Sequence, residues 1–477
     1  MATSGNFVQL HNHTHYSLLD GASKIPDLVK RAKELNMPAV GITDHGNMHG
    51  AYEMWSTAVK EGVKPIIGIE AYVTPETARQ DQTRVSWDTN WNPDIDPQHR
   101  RRNPNDVSGG GLITHLTMWA ETDEGLVNLM KASTDANLEG RVMRYPRMDK
   151  EILAKYSKGI IASSGCPSGI IQTRLLLGQF DEALRAAGEL QDIFGRDNFY
   201  IEFMDHGLKI EKQVTDGLLD IAKKLNAPLL ATNDSHYVRA EDAGSQDAML
   251  CINSGSTLDE PGRFKFDGTG YYLKSAEEMR ELFKDIPEAC DNTLEIAERC
   301  NVMFDDHEDG AFMPQFDCPE GWDETSLFLK KVEEGLERRY DGHPPIEVLK
   351  QADYECGVIC QMQFCGYFLV VADYINWAKS HGVMVGPGRG SAAGAMVAYA
   401  MGITELDPIK HGLIFERFLN PERVSLPDID VDFDPDGRGR VLDYVGDKYG
   451  RDKVAQCVIY GTIKTKQALK DSARIMG

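Results

Sequence analysis

Apolar positions in the first half of the chain alternate between two periods. Short apolar runs predict strands at residues 7–10, 39–43, 65–73, 112–120, 159–163, 198–203 and 228–232. Amphipathic stretches of helical period lie between most of them, at 26–35, 51–61, 124–137, 181–194 and 210–225. Repeated strand–helix units predict a parallel sheet in an α/β domain, open or closed into a barrel. One segment breaks the rhythm. Residues 74–111 are polar, rich in Asn, Asp, Pro and Gly, and carry Arg100, Arg101 and Arg102. A stretch of that length without periodicity is expected to be functional or mobile. A domain boundary is expected between Ala240 and Phe316. Beyond it, 324–339 and 345–364 read as helices, and the apolar run 368–377 leads into GVMVGPGRGSAAGAMVAYAMG. The final residues, SARIMG, continue a helical pattern that starts near Lys466, with no stop signal, as expected of part of a longer polypeptide.

At 477 residues, 42% hydrophobic and 26% charged, the chain has room for two or three ordinary globular domains. No apolar run reaches the ~18 residues of a membrane span. The N-terminus lacks the basic segment and apolar core of a secretory signal. Nine cysteines, an odd number scattered over a long chain, do not form a disulfide framework, which points to a reducing cytoplasm. CGVIC at Cys356–Cys360, with Cys365, has the spacing of core packing in an apolar helix. The net charge of −23 argues against coating DNA through bulk charge. Charge is uneven, however. Residues 281–324 hold 14 acidic side chains against two Lys/Arg, whereas 451–477 hold six Lys/Arg against two Asp. Each run is either a solvated face or, for the second, a basic surface.

Metal-competent residues recur at the ends of the predicted strands. His11 and His13 alternate, so both project to one side. Asp20 follows, then His45 in TDH, Glu70 in GIEAY, His115 in THLT, Cys166 in SSGCPSG, and Asp234 with His236 in TNDSH. In α/β folds chemistry gathers at the carboxyl edge of the strands. Nine mixed N, O and S donors suit more than one ion, Zn²⁺ or Mn²⁺ with Fe possible. A bound metal would acidify a water and clamp a phosphate. His15, His49, His99 and His206 fall outside the pattern. Residues 5–250 resemble the polymerase and histidinol phosphatase (PHP) domain. That resemblance implies a distorted (β/α)7 barrel with a trinuclear centre held by these nine positions, all of them filled.

A second constellation lies near the other end. The glycines of GPGRGSAAG, residues 386–394, let backbone approach a phosphate, a following helix would offer free N–H groups, and Arg389 and Ser391 add donors. In PDIDVDFD, a strand would put Asp428, Asp430 and Asp432 on one face and Ile429, Val431 and Phe433 on the other. Three like charges on one face call for cations, and paired aspartates can hold two Mg²⁺ for phosphoryl transfer. Arg417 and Arg423 in ERFLNPER are either triphosphate clamps or partners of Glu416 and Glu422. Lys464, Lys466 and Lys470 suit DNA phosphates.

VGPGRGSAAG, ERFLNPER, PDIDVDFD and GTIKTK, downstream of a PHP-like region, resemble the alpha subunits of bacterial DNA polymerase III across essentially the whole chain. The resemblance implies an α+β palm of the polymerase-beta nucleotidyltransferase type, cut off at the start of the thumb. It divides the chain into a PHP domain at 1–275, a palm at 276–458 and the first thumb residues at 459–477. It implies Asp428 and Asp430 as catalytic Mg²⁺ ligands, Gly390, Ser391, Arg389 and Arg417 at the deoxynucleoside triphosphate, and Asp432 as a motif residue. Primer–template DNA, the sliding clamp, the clamp loader and other replisome subunits are the implied partners. No exonuclease domain interrupts the PHP-like region, unlike the Gram-positive polymerase C branch, and the intact ligand set implies 3′–5′ proofreading there. The family's third catalytic aspartate, fingers and clamp-binding region are not within these residues, so weak polymerisation is expected of this chain alone. Three alternatives stay open on sequence: a free-standing phosphoesterase, a purely structural metal site, and a translesion relative of the replicase.

Overall fold

The computed structural model describes residues 6–88, 103, 105–305, 314–420, 422 and 426–477. Arg100, Arg101, Arg102 and Arg423 lie outside the described residues. The chain divides into two compact units, Met1–Phe304 with Ile463–Gly477, and Asp305–Thr462. Among the described residues no single helix is long and apolar enough to cross a membrane.

The first unit is built on a mixed sheet of β1 (Ala39–Ile42), β2 (Lys64–Val73), β3 (Thr114–Ala120), β4 (Arg141–Val142), β5 (Tyr145–Met148), β6 (Ile160–Ser163), β7 (Phe199–Phe203) and β8 (Leu229–Ala231). Its order is β4-β5-β2-β3-β6-β7-β8, with β1 also on β2. The expected all-parallel sheet is corrected at β3, which runs antiparallel to both β2 and β6. A parallel neighbour needs a crossover, usually a helix. The polar segment between β2 and β3 shows only the short 3₁₀ turn Gly109–Gly111 among its described residues, and the chain returns in the opposite direction. The segment expected as a strand at 7–10 forms isolated bridges instead. Gln9 pairs with Val40 and Asn12 with Ser235, which ties the N-terminus to β1 on one side and to the chain after β8 on the other. Gly41 permits this approach, since a Cβ there would lie 2.5 Å from the Leu10 carbonyl oxygen.

Helices Ile25–Glu34, Ala51–Glu61, Asp123–Glu139, Phe180–Phe194 and Lys209–Leu225 form where the 3.6-residue period predicts them and bury their apolar faces in one core with the sheet. The unit runs past residue 275 because Met279 on helix Ala276–Leu282, Phe283 directly after it, and Ala289 and Cys290 on helix Pro287–Arg299 join that core. Residues 463–477 return to it as well. Leu258 N–H donates to the Ile475 carbonyl at 2.8 Å, and helix Thr465–Ile475 exposes Lys466 and Lys470.

The second unit is helical among the described residues, around Glu324–Arg339, Ile346–Gln361, Cys365–Ser380 and Arg438–Tyr449. Cys356 and Cys365 are buried in its core. The helix expected over 345–364 ends at Gln361, and Gln363 takes a left-handed φ of 61° before the next one starts. The strand expected for the aspartate run reduces to one antiparallel bridge, Val385–Phe433, which ties it to the residues just before the glycine-rich loop. Among the described residues no further strand flanks this pairing to extend it.

The two described ends of the polar segment 74–111 are firmly held. Val85 N–H donates to the Gly111 carbonyl at 2.9 Å. Fully buried Arg147 on β5 donates to the carbonyls of Gly140 (3.3 Å), Leu112 (3.2 Å), Arg79 (2.7 Å) and Asp81 (2.7 Å). Arg147→Met keeps the bulk and removes all four bonds. It is expected to destabilise the protein by about 2–4 kcal/mol, measured as a shift in the urea unfolding midpoint. An unchanged midpoint would mean that those carbonyls are satisfied without it.

Candidate functional site

The pairings that tie the N-terminal segment into the sheet also aim its histidines. Ser235 N–H donates to the His11 carbonyl and His13 N–H to the Ser235 carbonyl, so strand alternation turns both imidazoles the same way. His45 follows β1 and bridges to Glu70 on β2. His115 stands on β3 opposite Tyr72. Cys166 follows β6, and Asp234 and His236 follow β8. Asp234 holds a left-handed φ of 44°, an uncommon conformation for a residue other than Gly.

All nine predicted donors meet in one place. Glu70, 1% exposed, lies 3.6 Å from His11 Nε2, 3.3 Å from His13 Nε2, 2.7 Å from His45 Nδ1 and 3.0 Å from His115 Nδ1. Asp234 Oδ1 is 3.4 Å from His11 Nε2, 3.0 Å from His13 Nε2 and 3.6 Å from His236 Nδ1. Asp20 Oδ2 reaches His45 Nε2 at 2.8 Å and His236 Nε2 at 3.4 Å. Cys166 Sγ sits 3.4 Å from His115 Nδ1. Three trios have donor atoms all within 4.8 Å of one another: His13–His45–His236, His11–His13–Glu70 and His45–Glu70–His115.

His115 Nδ1 hydrogen-bonds Glu70 and Cys166, but most of the other contacts are in ion-pair range without hydrogen-bond alignment. Buried His11 Nε2, His13 Nε2, His45 Nδ1, Glu70 Oε2, Asp234 Oδ1 and His236 Nε2 all lack a hydrogen-bond partner among the described residues. A buried polar atom left unpaired costs about 1–3 kcal/mol. Six of them converging on a common space form a cage that divalent cations satisfy, so the residues fit the expected metal centre. The open side is formed by Asp20, His45, His115 and Asp234, whose side chains are 15–18% exposed.

Electrostatics follow from that crowding. Burial opposes ionisation of Asp20, Glu70 and Asp234, yet the surrounding imidazoles hold all three carboxyls below their usual range. Burial and the neighbouring His45 and His236 lower His13 to about 3, so its imidazole is neutral. Burial would also lower His11 and His45, but nearby acidic groups outweigh it: Glu202 and Asp234 hold His11 well above its usual value, and Tyr72 and Glu70 do the same for His45. Burial, then Glu70 and Asp234, push the Cys166 thiol up.

Two residues behind the donors escaped the sequence reading. Glu202, buried in β7, accepts from His11 Nδ1 at 2.8 Å and from the hydroxyls of Ser163 and Thr232. Asp44, also buried, accepts from Thr14 N–H at 2.7 Å and from Ser17 Oγ at 2.7 Å, and Ser17 in turn contacts His13 Nδ1 at 3.0 Å. Each fixes the far side of a ligand ring. The available signal was a carboxylate in the middle of an apolar strand, FYIEF, and one directly before His45. His206 is paired on both ring nitrogens, with Glu211 and the Asn233 carbonyl, and stacks on Tyr271, which makes it structural.

In the second unit the glycine-rich loop and the aspartates come together. The alternation is realised: Ile429, Val431 and Phe433 pack on the core, while Asp428, Asp430 and Asp432 are exposed. Gly386 N–H donates to the Asp432 carbonyl, and a Cβ at Gly390 would lie 3.3 Å from Asp430 Oδ2. Arg389 spans Asp430 at 3.1 Å and Asp432 at 3.2 Å. The cation between these two carboxylates is thus an arginine. The three aspartates do not converge into a ligand cage among the described residues, and their fit to Mg²⁺ is weaker than that of the first site. Arg417, on a short 3₁₀ turn, is exposed and without an ion pair among the described residues.

The helix expected to present free N–H groups behind the loop is corrected. Ser391–Gly394 is a 3₁₀ turn and the following helix, Met396–Ala400, has one turn. Its first N–H groups are taken by fully buried Glu355, whose Oε2 accepts from Val397 N–H at 2.9 Å and which also bonds Met396 N–H. Gln351 Nε2 donates to Oε1 at 3.0 Å.

Two outcomes are expected. The protons on His11, His45 and Cys166 must leave when a metal binds, so affinity for Zn²⁺ or Mn²⁺ should rise with pH by about tenfold per unit for each proton displaced. Chelator-competition titrations across neutral pH measure this, and a flat profile would contradict it. Burial raises Glu355 to about 7, so between the ordinary Glu value and about 7 the folded state keeps a proton that the unfolded chain has lost. Stability should therefore fall as pH rises through that window. Glu355→Gln, with a flipped Gln351 amide as its partner, should flatten the slope and raise the thermal midpoint near about pH 8 but not near about pH 4.

Comparisons with known proteins agree with both halves of this description. A model of the PHP domain matches residues 9–206, and a model of the bacterial DNA polymerase III alpha NTPase domain matches residues 326–477. The DNA polymerase III subunit alpha of Mycobacterium tuberculosis is 54% identical over 475 residues, 99% of this chain and 39% of that protein. That of Borreliella burgdorferi is 41% identical over 483 residues, again 39% of the protein. A Bifidobacterium adolescentis structure, provisionally described as a metal-dependent phosphoesterase, is 17% identical with a TM-score of 0.30, covering 58% of this chain and 96% of that one. The chain spans 39% of the length of the first curated relatives it matches. Matched along 99% of its own length, it belongs to the bacterial DNA polymerase III alpha-subunit family.

Proposed function

We propose that the first unit is a metal-dependent 3′–5′ exonuclease that proofreads for the polymerase to which this chain belongs. The single observation that carries the reading is the cage of six orphaned donor atoms with one side open. A purely structural metal site closes its coordination shell with protein ligands, whereas a catalytic one keeps a position for water or substrate. Divalent Zn²⁺ or Mn²⁺, with Fe possible, would supply an acidified water and charge neutralisation at the phosphate. The chain's own residues do the rest. Glu202 and Asp44 hold the rings of His11 and His13 in register through their far nitrogens. Glu70 keeps four imidazoles within reach of one carboxylate. His11, His13 and Glu70 are buried, so bulk water is kept from that side of the cage. The chain of pairings through the N-terminal segment supports a distorted barrel as the frame.

For the second unit we propose deoxynucleotidyl transfer in the longer protein. Asp428 and Asp430 would bind Mg²⁺, with Gly390, Ser391, Arg389 and Arg417 at the triphosphate. Arg389 would have to release Asp430 for that carboxylate to ligate a metal. A palm-type sheet, primer–template DNA, the sliding clamp, the clamp loader and a cytoplasmic location belong to the same proposal.

The test is degradation of an end-labelled, 3′-mismatched primer–template with Mn²⁺ or Zn²⁺, comparing the protein with Asp20→Asn. Stepwise shortening from the 3′ end is expected, slowed at least about a hundredfold by the substitution. Equal degradation by both proteins would assign the nuclease elsewhere.

A further inference from the structure

Two chains of aromatic rings lead outward from the metal-site histidines. From His45 the first runs to Tyr72 (ring centroids 6.0 Å apart) and on to Tyr145 (5.0 Å), where the Arg144 guanidinium lies over the ring at 5.3 Å. From His236 the second runs to Phe266 (4.6 Å) and on to Phe264 (6.0 Å), with Tyr271 packed on Phe266 at 4.7 Å. Both reach solvent. Phe264 is 63% exposed, Arg144 and Lys265 are exposed, and Tyr72, Tyr145 and Phe266 are half-buried. None of these residues ligates in the cage described above.

One helix, Ala243–Ser254, fixes both chains and the Asp20 loop together. Its Asp247 takes a bidentate ion pair from Arg263, at 2.6 and 2.7 Å, directly before Phe264. Its Asn253 accepts from Arg144 at 3.2 Å and donates to the Leu19 carbonyl at 3.5 Å. Its Gln246 donates to the Asp20 carbonyl at 3.2 Å. The two ring systems are therefore held in fixed relation to the open side of the cage.

Phe264 keeps most of its surface in water although it stands only two ring contacts from His236. Aromatic faces beside a cation are how proteins hold single-stranded nucleic acid, whose bases stack while the phosphates seek positive charge. A small phosphate ester has no bases to use such surfaces. We propose that Tyr72–Tyr145 and Phe264–Phe266 form a two-sided stacking platform for the terminal bases of an unpaired DNA end, with Arg144 contacting its backbone. This deepens the nuclease reading and rests on it for the fate of the bound end. It adds how that end is held: by stacking of its terminal bases, which a paired end or a simple phosphate ester does not offer.

The test uses two readouts on the full protein. First, a single-stranded oligonucleotide carrying 5-iodouracil at its 3′ end is photo-crosslinked without added metal, and the adducts are mapped by peptide mass spectrometry. Adducts on Tyr72, Tyr145, Phe264 or Phe266 are expected. Second, Mn²⁺-supported shortening is compared for an ordinary 3′ end and one whose last two residues are abasic. The parent should favour the ordinary end by about tenfold or more in KM. Phe264→Ala and Tyr145→Ala should abolish that preference, and Phe264→Trp should restore it. Adducts at the rings without shortening would uphold the platform and sink the nuclease. Shortening with adducts only elsewhere, or with the preference intact in the alanine variants, would overturn the platform and leave the nuclease standing.

Discussion

Glu70 sits 1% exposed on β2 with four imidazoles around it, and the arrangement of the first unit depends on how that charge is balanced. An ionised carboxylate taken out of water costs several kcal/mol unless counter-charge and hydrogen bonds replace the lost hydration. Protonated histidines supply part of it, which is why Glu70, Asp20 and Asp234 stay ionised. His115 hydrogen-bonds one Glu70 oxygen, but Glu70 Oε2 and Asp234 Oδ1 are left without a hydrogen-bond partner among the described residues. The donor atoms face a shared centre instead of one another, and only cations at that centre satisfy all of them. The surrounding fold serves this constraint. β2 is paired on both sides, by β1 and by β3, so the carboxylate has little freedom to move away.

The second unit solves the same electrostatic problem differently. Its aspartates are exposed, water screens them, and Arg389 neutralises two of the three. What is rigid there is the backbone. Gly388, at φ 101°, has no room for a Cβ against Thr404, and Glu355 pins the turn behind the loop from within the core. A rigid loop beside an open acidic surface suits a large, charged ligand that brings its own counter-ions. The buried cage suits ions held by the protein itself.

All nine cage residues were legible in the sequence, as were the helices at 51–61 and 324–339 and the two faces of residues 428–433. Those signals are local. Strand alternation fixes which side chains share a face, and helical period fixes which stripe is buried, whatever the rest of the chain does. The hairpin of β4 and β5 was invisible because its strands, RV and YPRM, are short and interrupted by Arg and Pro, whereas β1 and β6, as short as β5, are runs of apolar or small residues.

The sequence by itself determined the donor set, the glycine-rich loop and the polar face of the aspartate run. Only the tertiary structure decided the reversed direction of β3, the division after Phe304, the roles of Glu202, Asp44 and Glu355, and the arginine that sits between Asp430 and Asp432. These depend on which distant segments meet, through contacts such as His11 with Glu202 or Glu355 with Val397. Residue type and spacing constrain such long-range pairings only weakly, because one buried carboxylate in an apolar segment looks like any other until its partner is in place.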